Sequence, residues 1–122
     1  DMNQYEIIEK CLNISPKIRF VGIYDDGQLY HKTQNNIQTY LSPSETERSC
    51  IQALLRYKTR LLLSDKIGKP LWSITMYEKL YRVTIPMRRH ALMLLSMELS
   101  SDPIGISTEI IEIINESNLN LE

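Results

Sequence analysis

The chain has 122 residues and a mass of 14.3 kDa, the size of one ordinary domain, with 43% hydrophobic residues, 24% charged residues and a net charge of −1. That balance excludes general disorder, a fibrous repeat and a disulfide-stapled miniprotein, and a chain this long can build a core without staples. The near-neutral total hides a division: residues 1–43 carry −1, residues 44–90 carry +6, and residues 91–122 carry −6 with no Lys or Arg at all. Either solvated basic and acidic faces balance each other, or the basic middle segment meets an acidic partner.

The start is polar and acidic and lacks a secretory pattern. The longest apolar run covers residues 91–95, far short of the roughly 20 a membrane helix needs. No membrane association is expected, and a cytoplasmic location is. Cys11 and Cys50 stand alone on predicted helices, without Cys-x-x-Cys spacing or a Cys/His cluster. They read as small buried apolar residues in a reducing compartment, and neither a metal nor a cofactor is expected.

Residues 2–13 form the first predicted helix, with Tyr5, Ile8, Cys11 and Leu12 at helical spacing, and Ser15-Pro16 ends it. Residues 18–24 are mostly apolar and suit a strand covered on both faces. Asp25-Asp26-Gly27 supplies a hairpin turn rather than a metal site. Residues 28–33 return as a more polar edge strand, and residues 34–41 are a loop. Ser42-Pro43-Ser44-Glu45 is the clearest local signal. Ser42 caps a helix, Pro43 fits its first position and Glu45 completes a capping box. This helix is predicted to run to about Lys66, where Gly68 and Pro70 stop it. Its apolar stripe of Ile51, Leu54, Leu55, Leu61 and Leu62 is expected to face the core. Lys58 falls within that stripe by helical angle. Its stem either packs on the core or carries the ammonium to a pocket or a partner carboxylate. Arg56 and Arg60 fall on the opposite, solvated face.

Residues 71–77, 80–85 and 90–99 read as three consecutive strands, joined by a two-residue turn at Glu78-Lys79 and a second turn at residues 86–89. The apolar run 91–95 marks a central strand. Residues 100–105 read as a loop, and a last helix is predicted to begin near Ser107, its expected cap. Residues 118–122 are expected to fray. The order αββαβββα is solved most simply by a five-stranded antiparallel sheet, with the long helix on one face and the terminal helices on the other. The last strand then lies beside the first, and residues 71–77 fall at an open edge. The expectation is a single α+β domain over residues 1–122, of which residues 1–17 are the first helix and its linker.

Chemistry is sparse. His31 and His90 have no Ser, Cys or acid at a motif spacing, and no phosphate-binding or dinucleotide motif occurs. No enzyme is expected. Arg88-Arg89-His90, with Lys79 and Arg82 read as close by and Tyr77 and Tyr81 interleaved, gives a basic hairpin tip that either touches phosphates or is a solvated turn. A pI near 6.2 disfavours strong nucleic-acid binding.

The element order resembles the roadblock fold and the related longin and profilin-like domains. A PAS sensor shares the strand order but places several short helices where this chain has one capped helix over residues 43–66. Ile18-Arg19-Phe20-Val21-Gly22-Ile23, the Asp26-Gly27 turn, Lys69-Pro70-Leu71-Trp72, and Val83-Thr84-Ile85-Pro86 followed by residues 92–97 look like a family of small archaeal proteins with this fold. The likeness spans residues 18–115. It departs at Tyr30-His31-Lys32, where the family has small glycines. The resemblance implies a noncatalytic module that dimerises through its third strand and long helix, scaffolds signalling complexes and acts on small GTPases. The interface carried onto this chain is Leu71, Trp72, Ile74 and Met76 with one face of the long helix. A regular edge strand with no proline or inward charge after Leu71 also calls for cover. Three functions therefore compete. One is a homodimeric interaction module docking on a further protein. Another is a ligand sensor with a cavity lined by Lys58, Trp72 and tyrosines. The third is a weak nucleic-acid binder through Arg88, Arg89 and His90.

Overall fold

A computed structural model of the chain describes residues 2–88 and 90–117; Arg89 and the tail expected to fray at 118–122 lie outside the described residues. Helix α1 (Gln4–Leu12) opens with a reciprocal cap: the Asn3 side chain accepts from the Glu6 N–H at 2.9 Å, and the Glu6 carboxylate reaches back to the Asn3 amide. Strands β1 (Ile18–Asp25) and β2 (Gln28–Thr33) form a hairpin. Asp26 and Gly27 take φ of 50° and 83°, the paired positive values that a two-residue hairpin needs. Helix α2 (Pro43–Arg60) starts on the Ser42 capping box, as its sequence predicts. It tightens into a 3₁₀ turn at Leu61–Leu63 and ends in a single further turn, α3 (Ser64–Ile67), closed by Gly68 at φ 85°.

Strands β3 (Ser73–Met76), β4 (Tyr81–Pro86) and β5 (Ala91–Met97) follow as a meander. Strands β3 and β5 are shorter than the apolar runs suggest, and β4 keeps its expected length but lies one residue further along, ending at Pro86. The Tyr77 N–H donates to the Leu80 carbonyl at 2.8 Å across the Glu78-Lys79 turn. The sheet order is β2-β1-β5-β4-β3, with antiparallel pairing throughout, so β5 lies beside β1 and β3 is an open edge.

Helix α4 (Pro103–Asn115) corrects one expectation. Its cap is Asp102, whose carboxylate accepts from the Gly105 N–H at 3.1 Å, with Pro103 in the first turn. Ser107 is instead fully buried inside the helix. The Asp-Pro pair uses the same start chemistry as Ser42-Pro43, and Gly105 obscures it in sequence by lowering helix propensity.

The pleat sends alternate residues to two unequal layers. Val21, Ile23, Val83, Ile85, Met93, Leu95 and Met97 project to one side, where α1 contributes Ile7, Ile8, Cys11 and Leu12, and α4 contributes Ile106, Ile110 and Ile114. The opposite side carries α2 and a much smaller core of Tyr24, Cys50 and Leu94, flanked by Leu29 and Leu54. This is the predicted α+β arrangement, with the long helix on one face and the terminal helices on the other. No helix among the described residues is long and apolar enough to cross a membrane.

Candidate functional site

Helix α2 docks on the sheet through small side chains. Thr46, Cys50 and Ala53, at i, i+4 and i+7, are its buried residues. They let the helix approach a surface already occupied by Tyr24 and Leu94. Desolvation under the helix pushes the Cys50 thiol up to about 11, against the lowering effect of the nearby Arg82 charge. The larger apolar residues of the same segment point away from the sheet. Leu55 is 59% exposed, Leu62 81% and Ile67 79%, with Ile51 and Leu63 exposed beside them.

The stripe expected in the core is therefore corrected. Of Ile51, Leu54, Leu55, Leu61 and Leu62, only Leu54 and Leu61 are half-buried. Lys58 is exposed rather than packed on the core. The signal for the true inner stripe was the helical spacing of Thr46, Cys50 and Ala53, three small residues among bulky ones.

The outward stripe runs toward the free edge of the sheet. The Arg60 guanidinium donates to the Ser73 hydroxyl at 3.3 Å, tying the end of α2 to β3, and Ser73 in turn bonds Thr84 at 2.7 Å. Among the described residues, strand β3 pairs on one side only, with β4. Leu71 and Met76 are exposed, Ile74 is exposed at 37%, and Trp72 is half-buried against the larger core. Ile74 sits opposite Val83 and Met76 opposite Tyr81, so both project to the α4 side of the sheet. A cleft of about 140 Å³ lies under the C-terminal half of α2, lined by Ala53, Tyr57, Arg60, Trp72, Ser73 and Thr84 among others. Trp72 and a tyrosine line it as expected of a sensor cavity; Lys58 does not.

The basic hairpin tip is also corrected. Arg88 is half-buried and His90 exposed at the β4–β5 turn. Lys79 and Arg82 lie at the other end of β4, because six extended residues separate Arg82 from Arg88 by about 20 Å. There the Lys79 ammonium lies over the Tyr40 ring, and Arg82 donates to the Ser49 hydroxyl. His31 is exposed on β2, its ring stacked on Phe20 at 5.7 Å. Among the described residues, no three His, Cys, Asp or Glu side chains gather as a metal site.

This arrangement of sheet, flanking helices and long capped helix defines a roadblock/LC7 fold. No family model matches the chain, and no curated protein matches it. Solved structures do. A roadblock/LC7 domain from Streptomyces avermitilis superposes with a TM-score of 0.71 at 8% identity, covering 94% of each chain. The gliding protein MglB from Thermus thermophilus gives 0.62 at 16% identity, over 93% of this chain and 89% of that one. A structure of MglB with a tetrameric arrangement gives 0.67 at 17% identity, over 92% and 88%.

Proposed function

We propose that the chain is a noncatalytic interaction module that pairs with a second copy of itself and docks on a further protein in a cytoplasmic regulatory assembly. The observation that carries this reading is the outward apolar stripe of α2 beside the open edge of β3. An exposed row of Leu55, Leu62, Leu63 and Ile67 next to unpaired strand backbone is unfavourable in water and favourable between two chains. Pairing two β3 strands would continue the sheet, with Leu71, Trp72, Ile74 and Met76 at the seam and the α2 helices against each other. The tetrameric arrangement of MglB supports self-association as a habit of the fold. A small GTPase is the partner class that the roadblock resemblance implies, and membership of the archaeal family rests on the motifs of residues 18–115.

Light scattering during size exclusion at two concentrations tests the pairing. The expected mass is twice 14.3 kDa, and Leu55→Glu, at a position already 59% exposed, is expected to halve it without unfolding the chain. A wild-type mass of one chain at both concentrations overturns the pairing.

A further inference from the structure

A second concave site lies on the α2 side of the sheet, at the end away from the β4–β5 turn. It is a cavity of about 670 Å³, within the range of small-molecule sites. Its floor is the cross-strand row Phe20, Ser96 and Arg82, which the register places side by side on β1, β5 and β4. Residues 37–41 of the loop before α2 and the turn at residues 77–80 form its walls.

Most of the lining is apolar or aromatic, but three cations converge on it. The Arg19 guanidinium lies 4.7 Å from the centre of the Tyr40 ring, and the Lys79 ammonium lies 5.2 Å from the same ring. Arg82 is half-buried and donates to the Ser49 hydroxyl at 2.8 Å. Arg19 has a carboxylate partner, Glu98, at 2.7 Å. Among the described residues neither Lys79 nor Arg82 has one. Glu78 is the only acid among the described residues of the lining. Three cations against Glu78 and Glu98 leave one positive charge. A half-buried guanidinium with no counter-ion is costly to hold in place. A bound anion offsets that cost with charge-assisted hydrogen bonds.

We infer that this cavity binds a monoanionic organic acid, its carboxylate on Arg82 and Lys79 and its aromatic or acyl body against Phe20, Ile37, Tyr40 and Leu94. The cavity and the proposed pairing surface share no residue: none of Leu55, Leu62, Leu63, Ile67, Leu71, Trp72, Ile74 and Met76 lines it.

Titration of naphthalene-1-acetate, and of its uncharged analogue 2-(1-naphthyl)ethanol, into labelled protein followed by amide NMR tests the inference. The expected result is saturable shifts at Tyr40, Lys79, Arg82 and Ser96, with the acid binding at least about tenfold more tightly than the alcohol. Arg82→Gln removes the charge while keeping a polar side chain, and is expected to weaken the acid about tenfold while leaving the alcohol unchanged. Lys79→Gln, on an exposed turn where folding is not at risk, is expected to weaken the acid by a smaller factor. Equal binding of acid and alcohol overturns the inference. So does acid binding unaffected by both variants, or shifts confined to Leu62, Ile67 and Leu71. Absence of saturable binding at millimolar concentration also sinks it. None of these outcomes bears on the solution mass, so the two readings fail separately.

Discussion

The two sides of the sheet solve the same problem differently. On the α1/α4 side, large aliphatic residues interlock in the core, and the exposed ones, Ile104 and the β3-edge Ile74 and Met76, lie at its margin. Ile7, Ile8, Ile110, Met93, Leu95 and Met97 are all fully buried. On the α2 side, the contact is made by Thr46, Cys50 and Ala53, and the bulky residues of the helix face outward. One layer is finished by the chain itself; the other is laid down with its adhesive side up. A helix that spends its small residues inward and its leucines outward gains little from the monomer. Hydrophobic stabilisation scales with the apolar area removed from water.

The sharpest test of that contrast is truncation on each side. Ile110→Ala is expected to cost about 2–5 kcal/mol in denaturant unfolding, through lost burial and the cavity left behind. Leu55→Ala, measured dilute enough to keep the protein monomeric, is expected to shift stability by no more than about 0.5 kcal/mol. Equal costs would erase the distinction between the layers.

A smaller effect is expected at Gly22, which faces the α2 side. A Cβ there would meet the Phe20 ring at 3.0 Å and Leu29 at 3.4 Å. Gly22→Ala is therefore expected to displace Phe20 toward the cavity at a cost of about 1–3 kcal/mol, visible as shifted Phe20 ring resonances. Unmoved rings would mean that this side has more slack than its geometry indicates. Smaller again, Ser42→Ala removes the α2 cap and is expected to cost about 1 kcal/mol. The corresponding cap on α1, Asn3→Ala, checks whether the loosely docked helix relies on its cap more than the well-packed one.

The smallest effect is a pH dependence at the same cap. Hydrogen bonds from the Ser42 amide, and then from its side chain, hold the Glu45 carboxyl below its ordinary value of 4.5. A folded-state value lower than the unfolded one means the carboxylate stabilises the cap above the ordinary range. That support is lost as pH falls through the folded value. Glu45→Gln is expected to flatten the acid limb of the stability curve slightly; an unchanged limb removes Glu45 from it.

Much of this fold was legible because its signals are local. The apolar run of β1, the Asp-Gly turn and the Ser42 cap each act over a few residues, and each appears where the pattern places it. What was illegible depends on distant partners. The outer stripe of α2 looked like a core stripe because a hydrophobic face ordinarily turns inward. Only the sheet's own Tyr24 and Leu94 make Cys50 and Ala53 the better fit. Arg82, Phe20 and Ser96 carry no common motif, since strand pairing brings them together from three parts of the chain. Lys79 and Arg82 seemed to belong with Arg88 because sequence distance ignores how far an extended strand travels.

The two thiols give the layered design a chemical clock. Cys11 beneath α1 and Cys50 beneath α2 are both completely enclosed, and burial raises them to about 12 and about 11. Alkylating reagents need an exposed thiolate, so each sulfur reacts only when its own helix lifts. Cys50 thus times the release of the thinly anchored helix, and Cys11 the opening of the interlocked one. A partner that clamps α2 will slow the first clock and leave the second running at its own pace.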